Sequence, residues 1–287
     1  FEKYSERWIK AKAASLKTKT IGRMKDCLKG IRPYLGNIAI RNIVYQDCEC
    51  WLIARGKELK PSAYRQERQL MIGVLNAAER DGIILDNPAK LLTNRKLPRI
   101  EIQIPTHEQF RSLIKQMRIA DSRGMYGADL VELLAYSGMR LNEAVNLLWD
   151  DINFERGCFS VTGGEYGTKN HEIRTVPLFP AMRELLERIR SGRTEINSRY
   201  VTPIKGARTL MASAAKKAGI PRFTHHSMRH YFCSNAIEAG VDFKVIAGWL
   251  GHKDGGILVA KTYGHLRDTH SFEMAKRMTL NASQKEA

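Results

Sequence analysis

No apolar run in the 287 residues approaches the ~20 needed to cross a bilayer, and no stretch reads as a secretory apolar core. The sequence therefore predicts no membrane segment. Cysteine is scarce: Cys27, Cys48, Cys50, Cys158 and Cys233 are odd in number, irregularly spaced and lack any CxxC pair. Neither a disulfide framework nor a zinc site is indicated, and a reducing cytoplasm fits. Acidic residues are outnumbered, 30 Asp+Glu against 47 Lys+Arg, for a net charge of +17. The excess is not a tail, because residues 1–93 carry +8 and the remainder +9. Such a balance points to a polyanionic partner, nucleic acid before an anionic membrane, with a merely soluble basic protein as the bland alternative. At 43% hydrophobic the chain can bury a core, enough for one large domain or two ordinary ones. It begins at Phe1 rather than Met, which points to a fragment of a longer protein.

Residues 1–92 read as helices only. Trp8 and Ile9 mark an apolar face. Ile21, Met24, Leu28, Ile31 and Leu35 step at threes and fours until Gly36, a third helix carries Trp51, Leu52 and Ile53, and a fourth runs from Pro61 to a break at Gly82. The basic residues, among them Lys17, Lys19 and Arg23, either form a solvated face or grip a phosphate backbone. The absence of any catalytic cluster in this module favours the second. Residues 93–105, with Arg95, Lys96, Arg99 and two prolines, read as a basic linker.

A second domain, 106–287, opens with a capping box at Thr106 and Gln109. Ala128–Trp149 reads as two helices broken at Ser137-Gly138, the second starting at Met139-Arg140 and continuing to Leu148. Arg140 then lies at a helix start, where the dipole favours an anion, and Glu143 one turn on can orient it; taken alone, the two read more simply as a surface ion pair. Residues 158–161 and 173–178 are β-like around a glycine-rich turn, a hairpin with Lys169 near its tip. Helices return over Ala181–Ile189, around Leu210–Ala218, over His226–Ala239 and over Phe243–Leu250. A last segment runs through Tyr263, and Phe272–Leu280 is a short amphipathic piece behind it.

The end of the chain carries the chemistry. His226 and Arg229 are three apart and share a helix face; His252 and Tyr263 follow. An arginine can hold phosphate oxygens bidentately, an imidazole can move a proton, and a phenol can attack phosphorus. That scheme needs no metal. His225 adjoins His226, and the spacing to Arg229 selects His226. Gly255-Gly256, between His252 and Tyr263, predict a loose loop ahead of the phenol.

The order of "SGMRLNEA", "GTKN", "RTVPL", "HHSMRH", "GWLGHKD" and "KTYGHL" resembles the tyrosine recombinases, particularly phage-type integrases. The likeness is specific over 106–270 and only architectural before it. It implies a mainly α fold with a small β-hairpin or three-stranded sheet, arranged as a two-domain C-shaped DNA clamp. The helical 1–92 module would grip one face of the duplex, and a tyrosine-recombinase catalytic domain the other.

The resemblance also implies roles. Arg140 and Arg229 hold the scissile phosphate, Lys169 protonates the leaving 5′ oxygen, and His226 assists proton transfer. His252 hydrogen-bonds the phosphate, Tyr263 is the nucleophile, and Glu143 supports from behind. No cofactor or metal is required. The implied function is integration or excision of a phage or other mobile element, on core sites of double-stranded DNA. The implied assembly is a homo-tetramer on DNA, monomeric or weakly associated when free, with DNA-bending accessory proteins, in the nucleoid of a bacterial cytoplasm. Many such integrases carry an extra N-terminal arm-site-binding domain. A type IB topoisomerase-like nicking–closing enzyme shares the chemistry. A repressor-like DNA-binding protein would leave all six side chains as coincidences.

Overall fold

The computed structural model describes residues 1–96, 103–120, 124–163, 173–192 and 198–263. The chain divides into two compact units, Phe1–Ile100 and Glu101–Ala287. It is mainly helical, with one small three-stranded sheet among the described residues.

The first unit consists of α1 (Glu2–Lys12), α2 (Thr18–Leu35), α3 (Tyr45–Glu58) and α4 (Pro61–Arg80). Ile9, Leu28, Ile31, Leu35, Trp51, Tyr64, Met71, Val74 and Leu75 form its core, so the stepped apolar residues of α2 face inward as their spacing predicts. In α3, Trp51 is buried while Ile53 is exposed, because neighbours on a helix are about 100° apart and three in a row cannot share a face. A buried ion pair joins α3 to α4. Arg55 donates to Glu67 through Nε at 3.1 Å and Nη2 at 2.6 Å, and Trp51 Nε1 adds a bond at 3.3 Å. Gly30 on α2 leaves room for it, since a Cβ there would sit 2.3 Å from Glu67 Oε1. The start of the expected linker is packed rather than extended: the Tyr64 hydroxyl donates to Thr93 O at 3.2 Å, and the Arg95 guanidinium covers the Tyr64 ring at 5.0 Å.

The second unit is built on α6 (Gly124–Ser137), which is apolar nearly all round and therefore central. The helices α5 (His107–Arg118), α8 (Pro180–Ser191) and α10 (His225–Glu238) pack around it, and α9 (Arg208–Ala218) packs on α5. The capping box forms at the head of α5, with Gln109 N–H donating to Thr106 Oγ1 at 3.2 Å and Thr106 N–H to Gln109 Oε1 at 3.0 Å. The two acids of α6, Asp129 and Glu132, are buried against Arg118 and Arg188.

The helix expected from Met139 to Leu148 is a single turn, α7 (Leu141–Ala144). Its continuation is taken by other partners: Val201 N–H donates to Leu147 O at 2.9 Å and Trp149 N–H to Arg199 O at 3.0 Å. Those cross-chain bonds draw 147–149 into an extended path. The strands β1 (Ile152–Asn153), β2 (Cys158–Val161) and β3 (Arg174–Pro177) form an antiparallel sheet in that order, with Val161 opposite Arg174.

A small second core joins α10 to α11 (Phe243–Leu250) and α12 (Ile257–Tyr263) through Phe232, Cys233, Ile237, Ile246, Leu250 and Val259. Phe179, just past β3, packs edge-on against Phe232 and Trp249 with ring centroids 5.5 and 5.0 Å apart. The loose loop predicted before Tyr263 is instead mostly helix. Val259 is fully buried, and Gly256, at φ +102, lies so close to the Phe243 backbone that a Cβ would meet its oxygen at 2.9 Å. No described helix is long and apolar enough to cross a membrane.

Candidate active site

Three chain breaks bring the site together. The first is Gly138, directly after α6. Its φ is +64, and a Cβ there would lie 2.5 Å from the Phe232 ring and 2.8 Å from Leu250, so both conformation and space demand glycine. The turn leaves Gly138 O free to accept from Arg229 and sets Arg140 at the head of α7. Arg140 N–H donates to Glu143 Oε2 at 2.9 Å, and Arg140 Nη1 donates to Glu143 Oε1 at 2.9 Å. With α7 only four residues long, the dipole invoked from the sequence has little length behind it. The positive field here comes from guanidinium groups.

The second break is the head of α10, capped by Thr224 Oγ1 accepting Ser227 N–H at 3.2 Å. His225 Nε2 accepts Ala207 N–H at 2.9 Å, while His226 packs edge-on against His230 at 4.5 Å between centroids. The structure thus separates the two adjacent histidines by partner. Arg229 is buried at 4% exposure; Nη1 donates to Gly138 O at 2.6 Å and Nη2 to Leu250 O at 2.7 Å. Those carbonyls end α6 and α11, the partly negative ends of two helices.

The third break is Gly251, left-handed at φ +67, where α11 ends in a Schellman turn. Gly251 N–H donates to Gly248 O at 3.1 Å and His252 N–H to Ala247 O at 2.9 Å. The turn delivers His252 Nε2 to 3.0 Å from Arg229 Nη2.

Sequence reasoning passed over Arg174. Its Nη2 donates to Glu143 Oε2 at 2.7 Å and its Nε to Trp249 O at 2.7 Å. The only signal was its place in the quoted "RTVPL" strand. Two guanidinium groups, Arg140 and Arg174, therefore share the Glu143 carboxylate, and Arg229 feels its charge without bonding to it. Burial raises the Glu143 pKa, but the hydrogen bonds and charges of Arg174 first, then Arg140, leave it below the ordinary range and ionised. Burial first, then Arg140, pushes the pKa of Arg229 down. His226 and His252 are lowered by burial and then by Arg229, with Arg140 contributing to both, so these side chains converge electrostatically. The arrangement is positive, incompletely neutralised, and edged by neutral imidazoles. It suits a phosphodiester.

Lys169 and Arg99 lie outside the described residues, as does the Phe272–Leu280 segment. Tyr263 is the last residue of α12, and its side chain is likewise outside the description. Lys17 is the N-cap residue of α2, and Lys19 and Arg23 lie on that helix, all three exposed and in no salt bridge among the described residues. Arg95 and Lys96 are exposed on the same unit. Among the described residues no group of three or more His, Cys, Asp or Glu comes together that could hold a metal ion.

Residues 104–270 match the phage integrase family. The chain belongs to the phage integrase family. Residues 1–54 match the N-terminal SAM-like domain of phage integrases. As a member of this family the chain resembles tyrosine recombinase XerD of Neisseria meningitidis, 31% identical over 192 residues, 61% of this chain and 63% of that protein. It thus spans just 63% of the length of that relative. A tyrosine recombinase of Thermosipho africanus is 27% identical over 273 residues, 89% of this chain and 92% of that protein. The fold of this integrase-family chain is shared with solved integrases. A lambda integrase dimer bound to a COC′ core site matches with TM-score 0.74 at 18% identity, over 88% of this chain and 95% of that one. The Tn1549 transposon integrase with circular intermediate DNA matches with TM-score 0.77 at 18% identity, over 96% and 98%.

Proposed function

We propose that the chain is a site-specific DNA recombinase that cuts and rejoins strands through a 3′-phosphotyrosyl intermediate. The observation that carries this is the positive cluster of Arg140, Arg174 and Arg229 around one buried carboxylate, with His226 and His252 at its edge. The helix ending in Tyr263 docks on the same α10–α11 core. Arg140 and Arg229 bind the non-bridging oxygens and stabilise the pentavalent transition state, where a preorganised donor is typically worth about 10²–10³ in rate. Tyr263 Oη attacks phosphorus as the P–O5′ bond breaks. His226 assists removal of the phenolic proton and Lys169 supplies one to O5′, leaving a 5′ hydroxyl. Attack of a 5′ hydroxyl on the phosphotyrosyl ester reverses the step and restores the diester. The ester conserves the bond energy, so the scheme draws on no nucleotide.

The substrate is double-stranded DNA at core recombination sites of a phage or other mobile element, and the assembly is a tetramer. Support comes from the basic, exposed side chains of the first unit and from the company of solved relatives, among them a lambda integrase tetramer bound to a Holliday junction. That company also favours strand exchange over topoisomerase-like nicking and closing. The Arg140–Glu143 contact, plain when read as a surface pair, is half of a buried network.

Covalent trapping tests the reading. A nicked core-site duplex releases a short fragment after cleavage, in EDTA, and denaturing gels reveal any protein–DNA adduct. The expected result is an adduct that Tyr263→Phe abolishes while DNA binding persists. Good binding without an adduct in the unaltered protein would sink the enzymatic reading.

A further inference from the structure

We propose that Arg174 is a positioning residue for strand cleavage, locking the two phosphate-binding halves of the site in register. The inference rests on the reading of Arg140 and Arg229 as the phosphate-binding pair. Those two arginines come from distant parts of the chain and share no hydrogen bond among the described residues. Arg174 connects them. Its Nη2 holds Glu143 Oε2 at 2.7 Å, and the other oxygen of that carboxylate holds Arg140 Nη1 at 2.9 Å. Its Nε holds Trp249 O at 2.7 Å, and the next carbonyl, Leu250 O, receives Arg229 Nη2 at 2.7 Å. One guanidinium thus spans the α7 head, strand β3 and the end of α11.

The surroundings fit a fixed strut. The Arg174 side chain is 11% exposed and Glu143 3%, whereas Arg140, at the open end, is 29% exposed. Gly251 lies flat against it, since a Cβ there would come within 3.0 Å of Arg174 Nη1. Only a planar fork with separated donors can serve a carboxylate and a carbonyl at once; a lysine ammonium is a point donor. Arg174 also opens β3, paired opposite Val161 of β2. The strut therefore ties that strand pair to the rest of the site.

The test compares Arg174→Met and Arg174→Lys with the unaltered full chain, measuring single-turnover adduct formation, duplex affinity and thermal melting side by side. Positioning through Glu143 predicts cleavage slowed about 10–100-fold, by analogy with groups that orient a metal ligand from behind. DNA affinity should be preserved, and Arg174→Lys should fall between the other two. The effect of Arg174→Met should largely disappear in a Glu143→Gln background, because both act on the same arrangement. Folded Arg174→Met cleaving at the unaltered rate would overturn the inference. So would a loss fully explained by weaker DNA binding or lower stability, or losses that multiply independently with Glu143→Gln. If the unaltered protein forms no adduct, the reading of the site fails and this inference falls with it; an adduct in the unaltered protein with no effect at Arg174 defeats the inference alone.

Discussion

Arg229 Nη2 lies 3.0 Å from His252 Nε2, and a guanidinium has no acceptor to offer. The imidazole nitrogen must therefore accept, which places the ring proton on Nδ1. That Nδ1 is buried and has no partner among the described residues. An unmet buried donor costs about 1–3 kcal/mol, so this ring's polar groups are not held there for stability. His252→Phe fills similar space without either nitrogen, and Arg229 keeps its bond to Leu250 O. Little change in melting temperature is expected, with cleavage slowed by about 10²-fold. Melting curves beside single-turnover cleavage would check this, and a large fall in stability would assign the ring to folding instead.

Acid should destabilise the second unit through its histidines. His225, His226, His230 and His252 all have pKa values lowered from 6.5, by burial first and then by Arg208, Arg229, His226 and Arg229 respectively, and His230 is brought to about 4. The folded chain thus binds fewer protons than the unfolded chain below that ordinary value. The stabilisation is complete above 6.5 and is lost as pH falls through it towards 4. Thermal denaturation across that window should show a falling melting temperature, with a shallower slope in His230→Phe. An identical slope in the variant would remove His230 from the account.

In the first unit, the Arg55–Glu67 pair should matter more than any surface salt bridge. The Glu67 side chain is 7% exposed and holds Arg55 Nη2 at 2.6 Å. Glu67→Ala leaves Arg55 Nε and Nη2 and the Trp51 N–H without their acceptor while Glu58 still holds Nη1 at 2.6 Å, and a loss of about 1–3 kcal/mol is expected. Gly30→Ala, which drives a methyl into the same carboxylate, should cost about 1–3 kcal/mol. Urea unfolding of each variant measures both. A Gly30→Ala protein as stable as its parent would show that the helices can spread at no cost.

DNA affinity should be mostly phosphate-driven. Neutralising Lys17, Lys19 or Arg23, each exposed on or beside α2, should weaken binding alike on matched and mismatched duplexes. Each change should also reduce the slope of log affinity against log salt by about 1. Titrations at several salt concentrations decide the matter; a variant that changes sequence preference while keeping the slope would place that residue at a base edge.

Much of the architecture was legible because it is local. The stepped apolar residues of α2, the Thr106 cap and the helix Phe243–Leu250 each depend on a turn or two of neighbours, and each appears where the pattern put it. Readings that depended on distant partners fared worse. The helix through Leu148 was cut short because residues 199–201 claim its backbone groups, and the loop before Tyr263 became helix because Val259 found a buried place against α10 and α11. Arg174 looked like any strand arginine, since both of its acceptors lie far off in the chain.

By itself the sequence determined the helical periods, the break at Gly138, the basic balance and the order of motifs that marks the family, for these are properties of neighbours and composition. Tertiary structure alone decided the partner that His225 takes, which nitrogen of His252 carries the proton, and that one carboxylate is shared among arginines from separate segments. Those outcomes follow from hydrogen-bond partners and burial, which exist only once remote parts of the chain have packed together.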